Sequence, residues 1–365
     1  MKYNYDNDND SIDIYSTAKY EDISSTSSKK GRKKNKKRKK TTVVISIICI
    51  CLSVAILLGG GAYLYAYSII DKVERVPLET DNQSELNIST NEYESVKNIA
   101  LLGIDSRQDN YVGRSDAVLI LTIDKKNNKI KLTSIARDTN VSIDGHGTDK
   151  LTHAYAYGRS TLAVKTLNKN FSLEISDYVT VNFHEFSRII DYIGGVKINV
   201  NEREKNHLNS YIIPKLRKVG FKCDSITKTG KQTLSGTQAL CYARIRKIDG
   251  DIERGNRQKE VLSAMFDKVK DTSVTKLPNV AKMALSQCQT SLSTEDIMNI
   301  GIWALTSKPT IENFSVPNKN IPSSGRIING AWKYVYDLDL ASKEINKFIL
   351  SSGSDDDTSD QSKSE

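Results

Sequence analysis

The chain has 365 residues, and its 38% hydrophobic content is enough for a packed core of one or two domains. Its net charge of +9 suits a polyanion binder, but residues 29–40, KKGRKKNKKRKK, hold ten basic groups and no acidic one. The rest of the chain balances at 43 basic against 44 acidic residues, which excludes a basic nucleic-acid surface spread over the fold.

Residues 1–28 are polar, with six acidic groups and two basic ones, and read as a disordered tail. After the basic run comes TTVVISIICICLSVAILLGGGAYLYAYSII, residues 41–70, without a charged residue. At 1.5 Å rise per residue it is long enough for a hydrocarbon core of about 30 Å, and too long for a cleaved signal peptide. Tyr63, Tyr65 and Tyr67 sit where an interfacial aromatic belt belongs. The positive-inside rule places Lys29–Lys40 in the cytoplasm and the chain after about residue 70 outside the cell membrane. The basic run then meets anionic membrane lipid rather than nucleic acid.

The expected organisation is a cytoplasmic tail at 1–40, a transmembrane helix at 41–70 and a polar stem at 71–95. A catalytic domain at 96–350 and an unfolded acidic tail at 351–365 follow. Within the domain, VKNIALLGI (96–104), DAVLILTID (116–124) and KIKLTSIAR (129–137) have the β-branched apolar character of strands. A helix is expected near His153–Leu167. Strands at 178–183 and 196–200 flank HEFSRIIDYIGG, a helix stopped by glycines. Two more helices are expected at 235–244 and 251–270, giving an α/β fold with helices on both sides of a mixed sheet.

Three charged clusters lie at strand ends: Asp105 with Arg107, Arg114 with Asp116, and Arg137 with Asp138. A fourth is ARIRKIDGDIERGNRQ, residues 243–258. There Arg254, Arg257 and Gln258 are spaced for one helical face, with Asp251 one turn earlier. Arg244 and Arg246 share a side if the chain is extended. A single Arg–Asp pair at a strand end is usually a structural salt bridge. Four clusters in one domain suit phosphate oxygens, because the guanidinium is a planar fork that stays charged. Asp105 and Asp116 add hard oxygen ligands, so the combination points to a metal-bound pyrophosphate. His153 reads as a satisfied structural histidine. No GxSxG, Walker or GxGxxG arrangement is present, and without a CxxC a zinc site has no support. Of the five cysteines, Cys49 and Cys51 fall in the apolar span. Cys223, Cys241 and Cys288 lie beyond it, an odd number that leaves a Cys223–Cys241 disulfide open.

The segments NIALLGIDSR, GRSDAVLILTID, LTSIARDT, KLTHAYAYG, YIGGVKINV, LSGTQALCYARIR and DIERGNRQ, in this order over residues 98–260, resemble the LytR-CpsA-Psr family of bacterial envelope phosphotransferases. The resemblance implies a three-layer α/β/α sandwich with an apolar pocket for a polyprenyl tail. It implies transfer of an anionic glycopolymer, such as teichoic acid or capsule, from a polyprenyl-pyrophosphate carrier to a peptidoglycan hydroxyl. By resemblance, Asp105 and Asp116 engage magnesium (or manganese). Arg107, Arg114, Arg137, Arg244, Arg246, Arg254, Arg257 and Gln258 surround the pyrophosphate, and Asp116, Arg137, Arg244 and Arg246 carry the catalysis. A lipid-pyrophosphate hydrolase and a non-catalytic envelope-binding or regulatory protein are the alternatives. The sequence departs from the family at Ala136, where a proline is usual, and at Gly158-Arg159, where Gly-Gly is frequent. Both departures put local backbone geometry in question rather than the chemistry.

Overall fold

The computed structural model describes residues 60–61, 63–71, 75–80, 82, 84–88, 96–105, 111 and 113–352. The chain divides into two units, 1–62 and 63–365. In the first, Gly60 and Gly61 are described, and both are helical. The expected disordered tail, most of the apolar span, Arg107 and most of the acidic end lie outside the described residues. Among the described residues no helix is long and apolar enough to cross a membrane. The second unit opens with a helix at 63–70 (α1), on which Tyr63, Leu64, Tyr65 and Tyr67 are exposed.

The three apolar runs form β1 (Lys97–Ile104), β2 (Ser115–Asp124) and β3 (Lys129–Ile135), joined as an antiparallel meander. β3 stops two residues short of the expected end. Thr139 N–H donates to the Ala136 carbonyl, and this turn carries Arg137 and Asp138 off the sheet. A small antiparallel pair, β4 (Asn140–Ile143) and β5 (Gly147–Lys150), follows; β6 (Ile175–Asn182) pairs parallel to β1 and β10 (Thr310–Val316) parallel to β3. With β9 (Gln289–Thr290) the sheet order is β10-β3-β2-β1-β6-β9, a mixed sheet as expected.

Side chains alternate across this sheet as the pleat requires. Ala100, Leu102, Ile104, Val118 and Ile120 pack with α2 (Leu151–Phe171) and α10 (Leu338–Leu350). Ile99, Leu101, Leu121 and Val179 face the other way, toward Phe266 of α7 (Asp251–Lys270) and Trp303 of α9 (Thr294–Ser307). Helices therefore cover both faces. Beside the sheet, α3 (Phe183–Tyr192), the antiparallel pair β7–β8 (Val196–Val200, Gly230–Leu234) and α5 (Ile213–Lys218), which follows the polar helix α4 (Glu202–His207), share a second core with α6 (Gly236–Ala243). Asn182 and Ser235 start α3 and α6 with reciprocal capping boxes, closed by Glu185 and Gln238. In that core the Cys223 and Cys241 thiols touch, Sγ to Sγ 3.9 Å, and are not bonded.

α2 is kinked at the departure from Gly-Gly: Arg159 has φ 53° and ψ −150°, a conformation in which a Cβ is strained. Its guanidinium donates to the Tyr111 carbonyl across the kink.

Candidate active site

Asp105 and Asp116 come together because β1 and β2 are antiparallel neighbours. Ile104 faces Ser115, and Asp105 N–H donates to the Arg114 carbonyl at 3.1 Å. β3 returns alongside β2, so the turn after it delivers Arg137 to Asp116, with which it forms an ion pair. The α6–α7 connection closes the ring. Arg244 caps α6, its guanidinium 4.2 Å above the Phe183 ring and 3.8 Å from the Asp105 carboxylate. Gly250, at φ 97°, makes the sharp entry into α7 that an L side chain would resist.

The centre is a chain of alternating charge. Lys150 and Arg246 reach Asp138 at 2.9 and 2.8 Å. Arg246 also approaches Asp251 at 2.8 Å, and Asp251 approaches Arg254 at 2.8 Å. Burial alone would raise Asp138, but the hydrogen bond from Lys150 and the charges of Arg137, Lys150 and Arg246 hold it below the ordinary carboxylate value. Asp251 goes the other way: burial raises it and Asp138 adds to the rise, against the pull of Arg254 and Arg246. Burial likewise lowers Arg254. Arg137 ends up raised, because Asp116 and Asp138 outweigh the opposing effect of burial.

Two buried donors in this cluster, Arg137 Nε and Arg254 Nε, have no hydrogen-bond partner. Both Asp251 carboxylate oxygens are buried without a hydrogen-bond partner as well, so the cluster leaves donors and acceptors unpaired at a cost in free energy. The residues Arg137 and Arg254 line a cavity of about 490 Å³. Asp116, Arg137, Arg244, Arg246, Arg254 and Gln258 line its charged end, while Leu101, Leu119, Phe186, Leu240, Leu262 and Met265 make the remainder greasy.

Arg257 does not join them. The residue lies on α7 between Arg254 and Gln258 but turns to Glu204 at 2.8 Å and to both oxygens of Asp249, one at 2.9 Å. Glu204 on α4 and Asp249 in the α6–α7 connection hold it in a buried clamp, and it is not among the cavity-lining residues. Arg114 is exposed and is not among the cavity-lining residues. His153 is satisfied by Asp149 at 2.7 Å, which also accepts from Tyr157. Lys150 and Tyr211 were not singled out from sequence. Lys150 opens the KLTHAYAYG segment, and Tyr211 lies in an otherwise uninformative stretch, yet it lines the cavity.

The donor set fits a hard divalent cation. Asp105 and Asp116 are carboxylates at adjacent strand ends, where magnesium needs only one or two and takes the rest of its shell from water and phosphate. Among the described residues no group of three or more His, Cys, Asp or Glu could hold a metal, so substrate oxygens would have to complete the site.

The LytR_cpsA_psr family model matches residues 62–348. A polyisoprenyl-teichoic acid–peptidoglycan teichoic acid transferase TagU from Oceanobacillus iheyensis is 32% identical over 307 residues, 80% of this chain and 88% of that protein. The TagT transferase of the same description from Bacillus subtilis is 32% identical over 282 residues, 74% of this chain and 84% of the relative. A solved structure described as the LytR-CPS2A-psr family protein YwtF (TagT) with bound octaprenyl pyrophosphate lipid superposes with a TM-score of 0.55 at 27% identity, over 75% of this chain and 98% of that one.

Proposed function

We propose, from the premise that the chain belongs to the LytR-CpsA-Psr family, that it transfers an anionic glycopolymer from a polyprenyl-pyrophosphate carrier to a peptidoglycan hydroxyl. One observation carries the reading most directly: an apolar cavity ends at a cluster of four arginines, Arg137, Arg244, Arg246 and Arg254. That shape and chemistry suit a long apolar chain with a pyrophosphate at its end, the class of lipid named for the solved relative.

The acceptor oxygen attacks the phosphorus next to the sugar, the bond from that phosphorus to the polyprenyl phosphate breaks, and the hydroxyl proton is lost to a base. Arg137, Arg244, Arg246 and Arg254 are placed to hold the phosphate oxygens as charge moves onto the leaving phosphate. Asp116, already beside Arg137, can orient the acceptor or take its proton. Asp105 and Asp116 would hold magnesium, which supplies charge neutralisation on the pyrophosphate. No nucleotide is required, which suits an enzyme outside the cell. The proposed anchor is the charge-free run at 41–70, with the exposed tyrosines of α1 at the interface.

The test is a reconstituted reaction of the purified chain with a defined polyprenyl-pyrophosphate oligosaccharide and peptidoglycan oligomers. Release of polyprenyl phosphate with attachment of the sugar phosphate to the oligomer is expected. Release without attachment would mean a hydrolase, and neither would mean a binding protein.

A further inference from the structure

The last hairpin of the fold, β11 (Ser324–Ile328) with β12 (Ala331–Val335), is not used by the site described so far. One face of it carries Gly325, Ile327, Trp332 and Tyr334, because Gly325 pairs with Tyr334 and Ile327 with Trp332. Ile327 is 76% exposed and Trp332 39%, unusual for large apolar side chains on so short a strand pair. The indole lies over Gly325, where a Cβ would come within 2.6 Å of Nε1, and packs edge-on against Tyr334 with ring centroids 4.6 Å apart. The opposite face is anchored by Lys333, which is buried and reaches Asp149 at 3.2 Å. The tryptophan is therefore presented on a fixed support.

This ridge runs into the charged cluster. Tyr334 N–H donates to the Asp138 carbonyl at 2.9 Å, and the Asp138 carboxylate holds Arg246. The Tyr334 phenol is raised by its burial first and then by Asp251, which places it beside the same charges. None of the cavity-lining residues belongs to the hairpin.

We propose that Trp332, buttressed edge-on by Tyr334, forms a stacking platform for a pyranose ring of the peptidoglycan acceptor strand. An aromatic face suits the C–H face of a sugar, with polar groups at its edge. In-line displacement favours the acceptor over the donor: the attacking hydroxyl comes from the side away from the leaving polyprenyl phosphate, and the hairpin lines none of the cavity that suits that lipid. That leaving group belongs to the apolar cavity, and the ridge adjoins the charged end without entering the cavity. The assignment rests on the transfer reading above for its occupant, while the platform itself is testable without turnover.

The chain has two tryptophans, so Trp303→Phe leaves Trp332 as the sole indole emitter of the full-length protein. Titration with an unlinked peptidoglycan tetrasaccharide should then change its fluorescence saturably. In the transfer reaction Trp332→Ala should raise the acceptor KM about tenfold with the donor KM unmoved, and Trp332→Tyr should recover most of it. A shift in the donor KM instead would overturn the assignment in favour of the donor sugar. No saturable fluorescence change together with an unmoved acceptor KM would remove the platform. Saturable binding by a chain that catalyses no transfer would uphold the platform and sink only the transfer reading.

Discussion

Arg254 and Arg257 stand one turn apart on α7 and are almost equally buried, 8% and 5% exposed, yet they serve two different regions. Around Arg257 the charges are complete: Glu204 and Asp249 take its donors, and their hydrogen bonds raise it although burial acts to lower it. Around Arg254 they are not. Its one carboxylate, Asp251, is shared with Arg246; burial dominates, and Nε is left without a hydrogen bond. Burial of a cation therefore does not by itself identify a binding site: of the two, Arg254 lines the cavity and Arg257 does not. Lys259, farther along the helix, is a third case, held by the Phe314 carbonyl at 2.6 Å and by Ser315 Oγ.

The largest effect is expected at the cavity end. Asp116→Ala should lower the release of polyprenyl phosphate by roughly a thousandfold, about 4 kcal/mol, if that carboxylate orients the acceptor or the metal. Undiminished turnover in Asp105→Ala/Asp116→Ala, or indifference to chelation, would show the reaction lies elsewhere.

In the structural region the damage should be to folding. Arg257→Met leaves Glu204 and Asp249 facing each other without a cation, a loss of about 3 kcal/mol. Thermal melting should fall by several degrees, while turnover per folded molecule stays within about twofold of wild type. A large loss of turnover at unchanged melting temperature would return Arg257 to the phosphate site.

Lys259 sharpens the contrast through pH. Burial lowers its amine from an ordinary value of 10.5 to about 8. Between those values the unfolded chain binds a proton that the folded chain does not, so stability rises with pH across that window. Lys259→Met should abolish this component, on the order of 3 kcal/mol, in urea melts at pH 7.5 and 10.5 compared with wild type. Parallel pH curves for the two proteins would count against it.

A smaller effect is expected where geometry rather than charge is changed. Arg246→Lys keeps the cation but gives up the fork that spans Asp138 and Asp251, and should slow donor turnover about tenfold to a hundredfold with little change in melting. Wild-type rates for this variant would mean that only net charge matters there. Smallest of all, Arg159→Gly should relieve the strained kink of α2 and gain about 1 kcal/mol, less whatever the bond to Tyr111 contributes. Calorimetry decides its sign.

Much of the sheet was legible because β1, β2 and β3 are central strands whose apolar runs are long and bounded by turns. α7 was legible to the residue, since Gly250 and the acidic first turn mark its start. Residues 271–350 yielded no assigned element. β10 is an edge strand with one buried residue, and α8 (Leu277–Ser286) has none, so their patterns carry little contrast. The platform hairpin was hidden for a related reason: its apolar face points to solvent, where periodicity no longer signals burial.

The kinds of group available, the three central strands and the family were legible in the chain alone. It supplied the arginines, the two strand-end aspartates and the glycine that turns the chain into α7. Which arginine faces the cavity depends on the folded arrangement, because the deciding partners are remote along the chain. Arg246 meets an aspartate 108 residues away and Arg257 a glutamate 53 residues away. Helical spacing puts Arg254, Arg257 and Gln258 on one face. The carboxylates of α4 and of the α6–α7 turn then draw Arg257 off it, since a buried charge goes where its desolvation is best offset.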